Sequence, residues 1–592
     1  MPKKSSAKPP EIERLLARVK YAERLRQDAD NRYGYSRSIM EYQGEYASVI
    51  PTWLSGIQMV PINEVYAYVK TFVPTVYSRD PYIAVNPKGQ SWIVGSKILE
   101  LAVNAYWRDL RLKKQVRRCI HDAILAEGWI KVGYSSSLGS IETEAGEQSL
   151  QPSEYVKSEE IFALRVSWKN MVRDPDATDG IHDARWVAQQ IIVPLEAVKN
   201  SSLYENTKDL RPNYVVEMAS SDRRLGPSYK DEQEYVELWE IWDRDAERVY
   251  TISEGANAFL MNKKWPYKFD GFPFVLLRFN ENNDEAYAPN LISPWEPQLW
   301  EKIKLRAMML DHIKRFGRQL AAEKGSLSRA EVDKFQKGIS GSIIFHEQGK
   351  QPPNPIPYPQ IQTDMYAVEN RIDLDKDNIS GQPNAVRSAP QRTQSRTLGE
   401  IDRLISAFQS RQNDPQGIVE DFSSEVAYKL IGLMQQYLPA RRFVRATQLD
   451  MGEIVQGFTD EAGNPRFDGT GFTFSKKEIQ DVEFDIEVRA GSTLPLDKQN
   501  RIESMVSIAK LGPTIGVTPG DELSRVLGKN LIAEFDMPEI TAAYERVLKK
   551  FRAMEQTAKA AAFAKNQMTQ EKIADLKATV LSDGAVVAPG PV

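Results

Sequence analysis

Two helical sequence patterns that flank a proline-rich segment constrain this chain more than any other feature. Residues 351–360 (QPPNPIPYPQ) hold five prolines in ten positions, which excludes a helix and favours an extended strap. Helical patterns lie on both sides, over 293–325 and about 361–379, and the segments between them predict a short helix at 326–338 and a strand at 341–347. The chain therefore leaves along one helix and returns along another, with a small mixed unit at the tip of this antiparallel stalk.

The first stalk helix has start signals and a local positive charge. Ser293 can cap it and Pro294 suits the first helical position, and the apolar pattern runs from Leu299 to about Ala322. Between residues 298 and 325, seven Lys or Arg residues stand against three acids. A helix of this length spans roughly 40 Å.

A basic loop follows the second stalk helix. Residues 380–399 contain Arg387, Arg392 and Arg396 but no acid, and only two sizeable apolar side chains. In a single chain such a loop is usually a solvated connector, because three arginines bind a phosphate backbone weakly and with strong dependence on salt. Copies arranged around an axis would turn the same modest charge into a ring of cations.

The bulk composition excludes several classes of protein. A chain of 592 residues predicts two to four domains, and its net charge of −4 excludes a generally basic nucleic-acid binder. Cys119 is the only cysteine, which excludes intramolecular disulfides and cysteine-based zinc sites and favours a reducing compartment. We expect no signal peptide and no membrane span, since the start has no apolar core and no run of about 18 apolar residues occurs.

The rest of the chain shows both strand and helix patterns. Helices are predicted at 11–29, 62–78 and 91–127. Another helical pattern runs from Leu398 to Leu438, and Pro415 and Gly417 should kink or break it near Asp414. Strands are predicted at 129–135, 161–168, 185–193, 235–242, 272–280, 441–446, 472–474 and 482–489. Residues 136–158 are polar and predict a mobile excursion. All eleven tryptophans lie between Trp53 and Trp300, which places the large aromatic core in the first half. Residues 498–533 predict short helices, and 538–578 one long helix of roughly 60 Å before a disordered tail.

No enzyme motif is evident. The chain has no phosphate-binding P-loop, no G-x-G-x-x-G, no H-E-x-x-H and no G-x-S-x-G. Its four histidines are scattered, and Cys119 lies in a helical pattern that predicts a small core residue. Residues 174–183 (DPDATDGIHD) fail the EF-hand pattern because the glycine falls at position 7 and Arg185 at position 12, so we interpret them as a capped turn between strands.

The order of parts resembles the portal (head–tail connector) proteins of tailed bacteriophages, in particular the short-tailed phage type. The segments that carry this resemblance are 69–89, 116–135, 168–187, 272–315 and 392–414. The chain departs from the family pattern where it has Ala288 in place of a common glycine and Lys302–Lys304 near the usual asparagine. No single motif is highly specific, but their order, the stem–clip–stem insertion and the length together are, and the resemblance covers roughly residues 30–580.

The resemblance implies an α+β portal fold with long stem helices, a mixed α/β wing, a small α/β clip and a C-terminal helical crown. It divides the chain into an N-terminal region and wing (1–292), stem helix 1 (293–325), the clip (326–360), stem helix 2 (361–379), a tunnel loop (380–397), a kinked long helix with a wing β segment (398–497), and the crown with its tail (498–592).

The function that the resemblance implies is a ring-shaped homo-oligomer, usually of twelve subunits, that occupies the portal vertex of a capsid and is assembled in the host cytoplasm. Duplex DNA would pass through its channel without sequence recognition during packaging and ejection. The implied protein partners are the terminase large subunit, the major capsid protein, a tail adaptor (head–tail connector) protein, and scaffolding or internal core proteins. Portals are not enzymes, so we expect no catalytic residue, no cofactor, no metal and no membrane.

Three groups of residues are the candidate sites. The tunnel loop would face DNA with Arg387, Arg392 and Arg396, the stem would line the channel with Lys314, Arg315 and Arg318, and the clip would meet its partners with Phe345, His346 and Tyr358. The alternatives are another ring-forming head–tail connector or tail component, and a nucleic-acid-processing enzyme such as a nuclease or packaging ATPase. An enzyme would need a phosphate loop or a clustered carboxylate–histidine site, and other connector chains are usually shorter and lack an interrupted stalk.

Overall fold

The fold was analysed in a computed structural model, which describes residues 8–48, 61–140, 154–201, 203–214, 234–316, 320–337, 345–355, 363–382, 398–437, 441–445, 471–475 and 478–488. These residues form helices and antiparallel sheets, so the chain belongs to the general α+β class. The chain divides into two compact units, residues 1–495 and 496–592. All of the described residues belong to the first unit, and the predicted crown (498–592) lies outside them.

Ten helices are described, and most match a helical pattern in the sequence. Their bounds are α1 Pro10–Tyr33, α2 Tyr35–Gln43, α3 Glu64–Val76, α4 Ile93–Asp109, α5 Leu112–Leu125, α6 Leu195–Lys199, α7 Glu296–Phe316, α8 Arg329–Lys337, α9 Thr363–Ser380 and α10 Leu398–Tyr437.

Fourteen strands are described among the same residues. They are β1 Ile83–Pro87, β2 Gly128–Ser140, β3 Glu154–Val166, β4 Met171–Arg173, β5 Trp186–Pro194, β6 Tyr235–Asp243, β7 Arg248–Ile252, β8 Met261–Lys264, β9 Phe274–Leu277, β10 Leu320–Ala321, β11 Asn354–Pro355, β12 Arg441–Arg445, β13 Gly471–Ser475 and β14 Phe484–Val488.

The strands pair antiparallel in five sheets. The largest is a five-stranded sheet in the order β4-β5-β6-β7-β8, and a three-stranded sheet has the order β3-β2-β9. In the second sheet Trp129 is opposite Val166 on one side and Leu276 on the other. Two-stranded pairs form between β1 and β14, β10 and β11, and β12 and β13. Since β1 and β14 lie about 400 residues apart in sequence, the late β segment completes a structure that begins before residue 90.

The helix α1 packs its predicted apolar stripe against the five-stranded sheet. Ile12, Leu16 and Val19 on the helix are buried in one cluster with Trp186 and Ile241 of the sheet. The spacing of the helix residues places them on one face, and the alternation along β5 and β6 presents the matching apolar side chains. This packing confirms the helix predicted at 11–29 and two of the predicted strands.

The largest core joins the N-terminal helices to the long helix α10. Buried side chains from α3, α4, α5, β2 and β9 pack in one cluster with the start of α7 and with α10, including Trp107, Leu299, Val426 and Ile431. Cys119 is fully buried in this core, as the sequence predicts, and burial raises the pKa of its thiol well above the ordinary value. The helix α10 is therefore a core element.

A fully buried ion pair lies beside the tryptophan-rich part of the fold. The Arg173 guanidinium donates to both Glu127 carboxylate oxygens, with Nη1–Oε2 at 2.9 Å and Nη2–Oε1 at 2.7 Å. It also lies 4.3 Å from the centroid of the Tyr287 ring. Burial alone would raise the pKa of Glu127, but the charge and hydrogen bonds of Arg173 hold it below its ordinary value. A bidentate pair of this kind is strong only while both partners are present.

The first stalk helix is shorter than the sequence pattern predicts. It begins at Glu296 and ends at Phe316, and Leu320 and Ala321, which the pattern assigned to the helix, pair with Pro355 and Asn354 instead. A strand pairing with the returning chain therefore replaces the last helical turns. The expectation of one helix over 293–325 is wrong at this end.

The start of the same helix also differs from the prediction. The Asn290 side-chain oxygen accepts from the backbone N–H groups of Ile292 and Ser293, at 3.0 and 2.7 Å. This asparagine side chain holds the turn that precedes Glu296, so the proposed cap by Ser293 is wrong.

The long helix α10 is not broken at Pro415. One helix runs from Leu398 to Tyr437 with Pro415 inside it. Of the kink or break expected near Asp414, the break is therefore wrong. Proline removes one backbone hydrogen bond, but the residues that follow, including Val419, Phe422 and Val426, are buried in the largest core. Their packing keeps the helix continuous.

The polar excursion expected at 136–158 is narrower than the sequence suggests. The strand β2 continues to Ser140 and β3 begins at Glu154, and the two pair along their length with a register shift between Ser137 and Leu138. Residues 141–153 lie outside the described part of the chain. By contrast, residues 174–183 form the expected turn between β4 and β5, in which the Asp174 carboxylate accepts from the backbone N–H and the guanidinium of Arg185.

Candidate functional site

The predicted stalk is an antiparallel pair of helices, α7 and α9, which we call the helical hairpin. The chain runs out along Glu296–Phe316 and returns along Thr363–Ser380. At the far end Leu320–Ala321 and Asn354–Pro355 pair antiparallel, and near the core Lys302 contacts Asp373. These two contacts fix the direction of each helix and the order of the hairpin.

A network of four charged side chains anchors the base of the helical hairpin to α3. Lys302 Nζ lies 3.0 Å from Glu64 Oε1 and 2.5 Å from Asp373 Oδ1. Lys376, whose side chain is 2% exposed, lies 3.1 Å from Asp373 Oδ1 and also bonds Glu64. The two cations and two carboxylates balance, so each buried charge has a partner. The base of the hairpin is therefore held to the core by charge-assisted hydrogen bonds.

The ionisation of this network follows from its pairing. Burial alone would raise the pKa of Glu64, but Lys376 and Lys302 together hold it below its ordinary value. Burial acts in the same direction on Asp373, and Lys302 and Lys376 lower its pKa. Both carboxylates are therefore ionised at neutral pH, and the network weakens only when acid protonates them.

Beyond its base, the helical hairpin exposes large apolar side chains on more than one side. Consecutive helical residues are about 100° apart, so Leu310 and Ile313 lie close together around α7, whereas Met308 lies on nearly the opposite side. The same holds for α9, where Tyr366 and Val368 point in nearly opposite directions. The exposed apolar residues of the two helices are Met308, Leu310, Ile313, Tyr366, Val368, Leu374 and Ile379. Seven large apolar side chains of the two helices are therefore exposed to solvent within the described part of the chain.

The predicted DNA-facing and channel-lining residues lie partly outside the described residues. Lys314 is an exposed residue near the end of α7. Arg315 belongs to the same helix, but its side chain is not described, and Arg318 lies outside. The tunnel-loop arginines Arg387, Arg392 and Arg396 also lie outside the described residues, between the end of α9 at residue 380 and the start of α10 at residue 398.

Of the predicted clip residues, Phe345 and His346 are described and Tyr358 lies outside. The Phe345 side chain is 68% exposed. His346 is exposed, and its Nδ1 lies 3.1 Å from the backbone oxygen of Glu347. The tip that carries them includes α8, which confirms the short helix predicted at 326–338. At its start, Ser328 Oγ accepts from the Glu331 N–H at 3.3 Å. A solvated aromatic side chain beside a histidine is suited to a protein contact.

Sequence reasoning missed a second surface, a basic cavity of about 880 Å³ in the N-terminal half. It lies at the junction of α4 and α5, against α3 and β3, and we call it the basic cavity. Its charged lining consists of Lys70, Arg108, Arg111, Lys113, Lys114, Arg117, Arg118 and Arg165 with Asp80 and Asp122. The signal was present in the sequence, because residues 108–118 (RDLRLKKQVRR) hold six cations and one acid.

Burial and the neighbouring cations shift the pKa values of two titratable groups that line the basic cavity. The pKa of His121 falls below its ordinary value through burial and through the charges of Lys70 and Arg165, so its ring is neutral at neutral pH. Burial raises the pKa of Asp122, although Arg165 opposes this by a hydrogen bond and by its charge. Eight cations therefore face two carboxylates and a neutral histidine.

Neither a protein-family model nor a curated protein matches this chain. Among the described residues, no cluster of three or more His, Cys, Asp or Glu side chains could hold a metal ion. Within the same residues, no helix combines the length and the apolar character that crossing a membrane requires.

Proposed function

We propose that the chain is the subunit of a portal-type ring, in which the helical hairpin builds the wall of a channel for duplex DNA. The proposed role is structural: the ring would occupy one vertex of a phage capsid, guide DNA during packaging and ejection, and carry no catalytic site of its own. The observation that carries the proposal is the distribution of exposed apolar side chains on nearly opposite sides of α7 and α9.

Two apolar sides on one element favour a ring over a simple dimer. A two-fold dimer uses one self-complementary patch, whereas a cyclic assembly joins two different patches of each subunit. Leu310 and Ile313 of one copy could then pack against the Met308 side of the next. The buried charges at the base hold each hairpin at a fixed angle to its core, which a closed ring requires.

The remaining proposed roles follow from the position of each segment along the chain. The tunnel loop follows α9 and precedes α10 along the chain, and its arginines would contact phosphates without reading sequence. At the opposite end of the hairpin, the exposed Phe345 and His346 would meet the terminase large subunit first and a tail adaptor later. The wing would contact the capsid and scaffolding or core proteins.

The first experiment tests the ring. Electron microscopy and light scattering of the purified full-length chain should show a ring of about twelve subunits with a central hole. Ile313→Glu should reduce the ring to smaller species, because it places a charge in an apolar interface. Tyr21→Glu is the matched control, since Tyr21 on α1 is 58% exposed and Ile313 is 53% exposed. A monomer from the unmodified chain, or equal behaviour of the two variants, contradicts the proposed role of the hairpin.

The second experiment tests the tunnel loop. Arg387→Ala, Arg392→Ala and Arg396→Ala together should reduce packaging and DNA retention in assembled particles, because phosphate contacts by arginine are lost. The triple replacement of the exposed Lys199, Lys208 and Lys263 by alanine removes the same charge elsewhere. Normal packaging by the loop variant would show that the loop is not a working DNA contact.

A further inference from the structure

The basic cavity gathers eight cationic side chains around two carboxylates, Asp80 and Asp122. Of its eight cationic side chains, Arg165 pairs with Asp122, and the Lys70 ammonium lies 5.3 Å from the centroid of the Tyr66 ring. The side chains of the other six, all between residues 108 and 118, form no ion pair or hydrogen bond with any described residue. At longer range, Asp80 attracts Arg108 and Lys113, and Asp122 attracts Arg118. Like charges gathered in one concave site repel each other, so an anion in the cavity would relieve that repulsion.

The backbone at the same place adds to the positive potential. The helix α5 has fourteen residues and begins at Leu112, with no side chain capping it and no acid in its first turn. The N–H groups of its first turn carry the positive end of the helix dipole. Lys113 and Lys114 lie in this first turn, where a negative charge is the favourable one. The cations and the helix end therefore attract the same kind of ligand.

The residue that joins α4 to α5 has an uncommon conformation. Arg111 has φ of 53°, in the left-handed region that residues other than glycine rarely adopt. For an arginine this conformation is strained, because its Cβ lies close to the following carbonyl oxygen. It joins two helices through a very short connection and so brings Arg108 from α4 next to the cations of α5. The strained connection is therefore part of what gathers the charge.

The chemistry of the cavity fits phosphate. Five of the eight cations are arginines, whose planar guanidinium forms two parallel hydrogen bonds to phosphate oxygens. The floor is apolar, with Val69, Val73 and Trp107 among the lining residues, and the volume of about 880 Å³ lies in the usual range for ligand pockets. At the mouth, Arg108, Arg111, Lys114 and Arg118 are exposed, so they can also reach a larger polyanion.

We propose that the basic cavity binds phosphate groups, either of a DNA backbone or of a free nucleotide. The proposal goes beyond the DNA channel, because the cavity is formed by α3, α4, α5 and β3 and shares no residue with the helical hairpin or the tunnel loop. It rests on the charge and geometry of the cavity alone, and it stands or falls independently of ring formation.

The test compares two charge-reversed variants of the full-length protein. Lys114→Glu/Arg118→Glu changes two exposed residues of the cavity mouth that lie one turn apart on α5. Lys263→Glu/Lys264→Glu makes the same charge change at two exposed residues of β8, which do not line the cavity. Thermal melts of both variants check folding, and light scattering of the same samples reports assembly separately.

Two probes distinguish the source of the phosphate. One is a labelled DNA duplex of about 20 base pairs, titrated at several salt concentrations, and the other is ATP without metal. The cavity variant should bind at least one probe about tenfold more weakly than the control variant, and loss of two phosphate contacts should lower the salt slope for DNA by roughly two. Weakening of the duplex alone identifies the DNA backbone as the source, and weakening of ATP alone identifies a free nucleotide.

Two results would overturn the proposal. One is equal binding of both probes by the cavity and control variants. The other is a combination of two observations: inorganic pyrophosphate displaces neither probe, and polyglutamate binds the unmodified protein but not the cavity variant. That combination would assign the cavity to an acidic polypeptide. A protein that binds phosphate as proposed but remains monomeric would leave this inference intact and contradict the ring instead.

Discussion

Large apolar side chains are buried where α1 packs on the five-stranded sheet, but they are exposed on the helical hairpin. In the sheet, Trp186 is 1% exposed and Ile241 is fully buried against the stripe of α1. In the hairpin, Ile313 and Leu374 are both 53% exposed. Burial of an aliphatic side chain contributes about 1.5–3 kcal/mol, so the sheet is complete within one chain while the hairpin leaves that gain unrealised. Under the proposed ring, contact with a neighbouring copy would supply the burial that the hairpin lacks within one chain.

The largest expected loss of stability comes from breaking the buried Arg173–Glu127 ion pair. Arg173→Met should lower the free energy of unfolding of the first unit by about 3–5 kcal/mol, because Glu127 would remain buried without a partner. Urea unfolding followed by tryptophan fluorescence measures this change. The double variant Glu127→Gln/Arg173→Met should recover part of the loss, since no buried charge is then left unpaired. A single variant as stable as the unmodified protein would show that the pair contributes little.

The base of the helical hairpin should be the next most sensitive place. Lys376→Met should cost about 2 kcal/mol, less than Arg173→Met because Lys302 still pairs with Glu64 and Asp373 is partly exposed. Limited proteolysis within the hairpin should accelerate, as one of its anchors to α3 is lost. Replacement of the exposed Lys334 on α8 by methionine provides the comparison. Equal proteolysis of the two variants would contradict an anchoring role.

The stability of the core beneath the helical hairpin should depend on pH through the buried Glu41. Burial and the neighbouring Glu296 carboxylate raise the pKa of Glu41 from 4.5 to about 9. An acid with a raised folded pKa contributes stability that is complete below pH 4.5 and is lost as the pH rises towards 9. Glu41→Gln, whose amide oxygen can still accept from Trp300, should therefore be more stable than the unmodified protein at pH 8, by roughly 1 kcal/mol.

Melting temperatures measured from pH 5 to pH 8.5 report this effect. The gap between Glu41→Gln and the unmodified chain should widen with rising pH. Glu45→Gln, at an exposed position two residues beyond α2, serves as the control. Parallel pH profiles for all three proteins would mean that Glu41 is ionised in the fold.

The smallest effect on folding should come from the hairpin surface. Ile313→Ser should change the free energy of unfolding of the dissociated chain by no more than about 0.5 kcal/mol, because the side chain is already half in water. The same replacement at the buried Ile241 should cost several kcal/mol. Unfolding at protein concentrations low enough to keep the chain dissociated gives both values. Similar losses at the two positions would remove the contrast between the two regions.

Much of the fold could be predicted because local patterns specify it. The alternation in YVELWEIW (235–242) predicts β6, where Val236 and Leu238 are buried and Glu237 is not. The proline-rich strap predicts the return of the chain between α7 and α9, since proline excludes a continuous helix. These features depend on residues that are neighbours in sequence, which is why periodicity alone reveals them.

The errors and omissions have a common physical origin in tertiary packing. Local rules predict a kink or break near Asp414, but no break occurs, because burial of Val419 and Phe422 outweighs one missing hydrogen bond. The anchor of the hairpin joins Glu64 to Lys302 and Lys376, which lie 238 and 312 residues away in sequence, so no local pattern contains it. The six cations of residues 108–118 were visible, but only the junction of α4 and α5 gathers them around one cavity.

Because Cys119 is buried, thiol-reactive reagents should not modify the native chain. It is the only cysteine among the 592 residues, it is fully enclosed, and its thiol is held in the unreactive protonated form. A cysteine introduced at Lys314 or Phe345 would therefore be the one thiol that a maleimide or a cross-linker reaches. Neighbouring copies could be cross-linked, or a spectroscopic label attached, at a chosen exposed position of the helical hairpin or its tip. No native core residue would have to be replaced.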